Sequence, residues 1–99
     1  MRRIKLAELE EIEITDVMYA LSDPARLEIV KTLADGRPRT CGELNAHRPK
    51  SSMSHHFKIL RDSGLIKTRV EGKEHFNELR TKDLERKFPG LLKGILDVL

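Results

Sequence analysis

The chain has 99 residues, a formal net charge of +3, one cysteine and four aromatic residues. That length supports one domain with one modest core built mostly from Leu, Ile and Val, and it leaves no room for an enzyme cleft of ordinary depth. The lone thiol, Cys41, excludes an intramolecular disulfide and fits a reducing cytoplasm. No apolar run approaches the ~18 residues that cross a bilayer. The N-terminal MRRIKLAELEEIEI lacks the continuous apolar stretch of a signal peptide, so a cytoplasmic location with no membrane partner is expected.

In chain order, residues 4–14 are charged and helix-prone, with irregularly spaced Ile4, Leu6, Leu9, Ile12 and Ile14. Residues 15–21 continue as a helical segment carrying Val17, Met18 and Leu21. Asp23-Pro24 opens the next helix, because Asp caps and Pro is pre-shaped for the first helical position. That helix buries Leu27, Val30 and Ala34, with Ile29 and Leu33 beside them, and ends at Gly36. Thr40 and Glu43 have capping-box spacing for a short helix through Leu44 and Ala46 that stops near Pro49. Ser51–Ser63 forms the following helix, closed by Gly64. Ile66, Thr68 and Val70 alternate with Lys67 and Arg69, Glu71-Gly72-Lys73 turns the chain, and His75–Leu79 returns as a second strand. Thr81 caps a helix over 82–87, Pro89-Gly90 interrupts it, and the apolar GLLKGILDVL ends the chain.

The order is therefore helix, turn, helix and two-stranded ribbon over Thr40–Asn77. A helix-turn-helix of this kind seats its second helix in the DNA major groove while a charged hairpin reaches the flanking backbone. Charge is distributed accordingly. Residues 48–73 carry seven Lys/Arg against Asp62 and Glu71, a local +5, whereas residues 1–21 are at −2. From charge alone, a solvated surface and a DNA-binding one are equally acceptable.

The second helix discriminates between them. At 100° per residue, Ser51, Ser54, His55 and Lys58 share an arc of about 100°, and Met53, Phe57 and Leu60 share an arc of about 60° on the opposite side. Any amphipathic helix has a polar face, but serine is a mediocre helix former, and three Ser with two His in residues 51–56 are a costly way to make one. Short hydroxyls permit close approach to base edges, and lysine reaches guanine or phosphate. The predicted DNA contacts are Lys50, Ser51, Ser52, Ser54, His55 and Lys58 from the helix, and Arg69 and Lys73 from the hairpin, at phosphate or the minor groove. An edge-strand solubilising role competes for Lys73. Adjacent His55 and His56 point about 100° apart and chelate poorly together, so His56, nearer the core, reads as a hydrogen-bonded structural residue.

Leu21-Ser22-Asp23-Pro24-Ala25-Arg26, then Met53-Ser54-His55-His56-Phe57-Lys58-Ile59-Leu60-Arg61, then Gly64-Leu65-Ile66 together give a further indication. Over residues 17–79 the chain resembles the arsenic-repressor-type (ArsR/SmtB) winged-helix regulators. The resemblance implies a mainly α fold with a small β-hairpin wing (α+β), and a homodimer paired through its terminal helices on an imperfectly palindromic operator. It further implies repression relieved by an inducer, with the polar face of the second helix in the major groove. The expected organisation is a single domain, 1–99, with terminal helices at 1–21 and 81–99, the helix-turn-helix at 40–63 and the wing at 65–79. Leu9, Ile12, Leu91, Leu92, Ile95 and Leu96 are the expected dimer contacts, in keeping with an apolar tail that a small monomer would expose.

The chain departs from the metal-sensing members of that family. They often carry a cysteine pair where this sequence has Cys41-Gly42-Glu43, or histidines on a C-terminal helix where residues 80–99 have none. His47 and His75 are isolated, and borderline metals want several thiolate or imidazole ligands. No metal site and no cofactor is expected. The alternatives are a metal-responsive repressor of the same family, in which two-fold symmetry brings both copies of Cys41 or a histidine together, or a winged-helix module that binds protein. Enzyme chemistry is not expected, because Cys41 lacks a base and an orienting group.

Overall fold

In the computed structural model, residues 4–45 and 48–99 are described. Helix α1 spans Ile14–Ala20, α2 Pro24–Leu33, α3 Cys41–Leu44 and α4 Lys50–Asp62, and α5 (Thr81–Lys87) and α6 (Leu91–Asp97) follow the strands. Strands β1 (Arg39–Thr40), β2 (Ile66–Glu71) and β3 (Glu74–Leu79) form an antiparallel sheet in the order β1-β3-β2. Among the described residues, no helix is long and apolar enough to cross a membrane.

Local sequence explains most boundaries. Asp23 Oδ1 accepts from the backbone N–H of Ala25 at 2.8 Å and of Arg26 at 3.3 Å, and Pro24 fills the first position of α2. Thr40 and Glu43 cap α3 reciprocally. The predicted continuation of that helix through Ala46 falls partly outside the described residues, as does His47. Gly36 and Gly64 end their helices with φ of 82° and 87°, and Gly72 turns the hairpin with φ 61°. Thr81 is not a cap: it is the first residue of α5, and Arg80 occupies the cap position without a side-chain capping bond.

Two regions differ from expectation. The sheet has a third strand, because Arg39 and Thr40 pair with Asn77 and Phe76. Among the described residues, the segment 4–13 is not a helix, apart from a 3-10 turn at Leu9–Glu11. It crosses the body as a strap. Arg80 Nη1 donates to Ala7 O and Lys87 Nζ to Leu9 O, both at 2.7 Å, while Ile12 enters the core.

The core is one cluster that includes Val17, Ile29, Val30, Leu33, Met53, Phe57, Leu60, Leu65 and Ile66. On α2 the buried stripe holds the predicted Ile29, Val30 and Leu33 together with Ala25 and Arg26, whereas Leu27 is half-buried and Ala34 is exposed. Ile12 and Leu92, expected at a dimer interface, are 2% and 6% exposed and belong to the chain's own core. Leu9, Leu91, Ile95 and Leu96 are half-buried against that core. Among the described residues, the large apolar groups left in solvent are Leu6, Ile14, Met18, Tyr19, Val98 and Leu99.

Candidate nucleic-acid interface

Helix α4 is divided lengthwise. Met53, Phe57 and Leu60 are buried, while Lys50, Ser51, Ser52, Ser54, His55 and Lys58 are exposed, in the periodicity read from the sequence. Burying three large apolar side chains holds the helix down by roughly 5 kcal/mol or more, at 1.5–3 kcal/mol each. Its outward side is therefore a rigid polar surface.

The hydroxyls on that surface are partly occupied by the helix itself. Ser54 Oγ donates to Lys50 O at 3.1 Å, and Ser52 Oγ donates to Pro49 O at 2.9 Å. Each retains acceptor capacity, and rotation about χ1 frees the proton for an outside partner. Lys58 Nζ lies 2.7 Å from Asp62 Oδ2, both side chains being well exposed. An exposed pair one helical turn apart is worth only about 0.3–0.5 kcal/mol, so a phosphate can displace it cheaply. The N-terminus of α4 has no side-chain cap, leaving its first backbone N–H groups open beside Lys50 and Ser51.

The hairpin follows α4 directly through Ser63-Gly64-Leu65. In the β2–β3 register Lys67 faces Glu78 and Arg69 faces Phe76. Arg69 lies over the Phe76 ring at 4.9 Å and 3.4 Å from Glu71, so its guanidinium is stacked and paired on the hairpin surface. Lys73 is exposed at the turn. Of the seven cations in 48–73, Arg48, Lys58, Lys67 and Arg69 are ion-paired, with Glu28, Asp62, Glu78 and Glu71 respectively. Since Glu28 and Glu78 lie outside that segment, its nominal charge overstates the positive field there.

The anchors beneath this surface were not read from the sequence, although one signal was present. Arg26 stands three and seven residues before Ile29 and Leu33, on the buried stripe of α2. It is 5% exposed, and its Nη1 meets His56 Nδ1 at 3.1 Å. His56 is thus hydrogen-bonded beside the core, as its place on the wheel predicts. Asn77 is fully buried: it accepts from Thr68 Oγ1 at 2.7 Å and donates to Arg39 O and Cys41 Sγ, each at 3.3 Å. Cys41 therefore contributes a weak acceptor that ties α3 to the sheet. His75 is exposed on β3. Among the described residues, no three His, Cys, Asp or Glu side chains gather as a metal-binding group.

A helix-turn-helix domain family matches residues 21–69. The chain is 36% identical over 82 residues to an uncharacterized HTH-type transcriptional regulator, YceK, of Bacillus subtilis, covering 80% of this chain and 82% of the relative. It is 35% identical over 74 residues to the arsenical resistance operon repressor of Staphylococcus xylosus, covering 74% and 71%. The crystal structure of the transcriptional repressor BigR from Xylella fastidiosa superposes with a TM-score of 0.68 at 27% identity, over 87% of this chain and 85% of that one.

Proposed function

Because this chain belongs to the ArsR-type family of helix-turn-helix transcriptional regulators, we propose that it is a homodimeric repressor that reads a palindromic operator with the outer face of α4. The observation that carries this reading is the lengthwise division of α4, which fixes Ser51, Ser54, His55 and Lys58 outward over buried Met53, Phe57 and Leu60. Two copies related by a two-fold axis present their α4 helices to successive major grooves about 34 Å apart. Lys50 and the open helix N-terminus bind phosphate, Ser54 and His55 meet base edges, and Lys73 and Arg69 approach the flanking backbone. The surface offered to the second copy is made by Leu6, Ile14, Met18 and Tyr19 at one end of the chain and by Val98 and Leu99 at the other. Leu91, Ile95 and Leu96 stand behind them, and Ile12 and Leu92 support that surface from within the core.

Titration of labelled duplexes tests the division of labour on α4. Lys58→Ala is expected to weaken binding to the DNA upstream of the protein's own coding region and to a scrambled duplex alike, and to lower the salt slope by about one unit. Ser54→Ala and His55→Ala are expected to reduce the preference between the two duplexes instead. Parental behaviour in all three variants removes α4 from the DNA.

A further inference from the structure

We propose that Arg26 and His56 are a positioning pair that seats α4 through a neutral imidazole, so that proton uptake at His56 weakens the grip on DNA. The proposal rests on α4 being the DNA-reading helix. Arg26 is nearly enclosed at the α1–α2 corner. Its Nε donates to Ala20 O at 2.7 Å, its Nη2 donates to Tyr19 O at 3.3 Å, and its guanidinium lies 5.3 Å from the centre of the Tyr19 ring. The remaining arm, Nη1, crosses to α4 and meets His56 Nδ1 at 3.1 Å. A guanidinium only donates, so Nδ1 must accept, which requires an uncharged ring with its proton on Nε2.

A second partner waits beside the first. Asp23 Oδ1 is 4.0 Å from the same Nδ1. Partial burial opposes its charge, but the N–H groups of Ala25 and Arg26, with the Arg26 guanidinium nearby, hold this carboxyl below the usual aspartate range. Asp23 therefore stays anionic wherever imidazoles titrate. Among the described residues, the titratable and charged groups placed around His56 are Asp23 and Arg26 from the start of α2, Tyr19 behind Arg26 on α1, and His55, whose ring centre is 6.2 Å away on α4. A proton on Nδ1 turns an acceptor into a donor that can no longer face Arg26, and the carboxylate of Asp23 lies 4.0 Å away to receive it. The imidazolium exchanges one partner for the other, and a buried guanidinium N–H loses its acceptor. His56 is next in the chain to His55, so the exchange disturbs the seat of the reading face.

The test compares the parent with His56→Gln, whose side-chain oxygen accepts from Arg26 at any pH. Affinity for the upstream fragment is measured from about pH 7.5 to about pH 5.5, the range in which imidazoles as a class gain a proton. The parent is expected to lose about tenfold more affinity over that range than His56→Gln, the loss of one charge-assisted hydrogen bond. His55 is common to both proteins, so its contribution cancels. Arg26→Gln, checked for folding by thermal melting, is expected to bind weakly already at pH 7.5 and to show the flattened profile. Equal pH profiles in parent and His56→Gln overturn the proposal. So does a long-range nitrogen NMR spectrum of the DNA-free protein that places the His56 proton on Nδ1 at pH 7.5. A parent that shows no preference for the upstream fragment over the scrambled duplex at pH 7.5 refutes the DNA reading instead, and the NMR result still judges the pair.

Discussion

Replacing Gly64 with alanine is expected to destabilise the protein by about 3 kcal/mol, lowering the melting temperature by roughly 15 °C for a domain of this size. Two costs add at this position. Gly64 has φ 87°, a left-handed conformation that costs an L-residue roughly 1–2 kcal/mol. A methyl group built there also overlaps Cγ1 and Cδ1 of Ile12, whose side chain comes from the N-terminal strap. Overpacking a well-filled core adds about 1–3 kcal/mol. The two sources separate in a double-mutant cycle. Ile12→Ala alone is costly, by about 2–5 kcal/mol, because it empties a buried site. In the Gly64→Ala background it removes the overlap, so the double mutant is expected to be more stable than the sum of the single effects requires. Chemical denaturation of the four proteins measures the coupling, and simple additivity is the opposing outcome, with the strap then making no close contact at the end of α4.

Ser54→Glu is expected to reduce affinity for the upstream DNA by about 100-fold while leaving thermal stability nearly unchanged. Ser54 is exposed at the middle of the outer face of α4, and surface substitutions of this kind shift stability by no more than about 0.5 kcal/mol. Its hydroxyl bonds only within its own helix, to Lys50 O, so no tertiary contact is lost. A carboxylate placed there faces the phosphates of a docked duplex, and an uncompensated charge in such an interface costs about 2–5 kcal/mol. Gel shifts with the parental and variant proteins, run beside melting curves, read both quantities. Parental affinity in a folded Ser54→Glu protein means that DNA does not lie on this face.

The parts of the molecule that follow from short-range rules were legible in the sequence. Met53, Phe57 and Leu60 repeat with the helical period, and Thr40 with Glu43 and Asp23 with Pro24 mark helix starts by local chemistry. Ile66, Thr68 and Val70 alternate as a half-covered strand does, and Gly72 marks the turn. What stayed hidden depends on partners far along the chain. The strap looked helical because Glu and Leu are abundant in it, yet Arg80 and Lys87 bond its carbonyls from 73 and 78 residues away. Strand β1 is two residues long, too short for any periodicity, and exists because Arg39 and Thr40 meet β3. Leu92 and Ile12 read as contacts for a second copy because apolar residues in terminal segments carry no mark of which body will cover them. Arg26 was hidden by its charge: a buried arginine becomes intelligible only when Ala20 O, Tyr19 O and His56 Nδ1 are seen around it.

The proposed DNA-facing site was legible as a helix face and less so as a set of working charges. Lys58 and Arg69 are exposed, but each has an acidic neighbour, Asp62 and Glu71, that a bound phosphate would have to displace. Pairing of this kind lowers non-specific attraction to any polyanion, and in the proposed reading it leaves more of the discrimination to Ser51, Ser54 and His55.

Methylation protection of guanine N7 on the DNA upstream of the protein's own coding region tests the central claim most directly, because N7 is exposed only in the major groove. Two protected patches about one helical turn apart on the same face of the duplex, both lost with Ser54→Glu, are the predicted result. A footprint that leaves every guanine N7 reactive, or one that Ser54→Glu leaves intact, contradicts it.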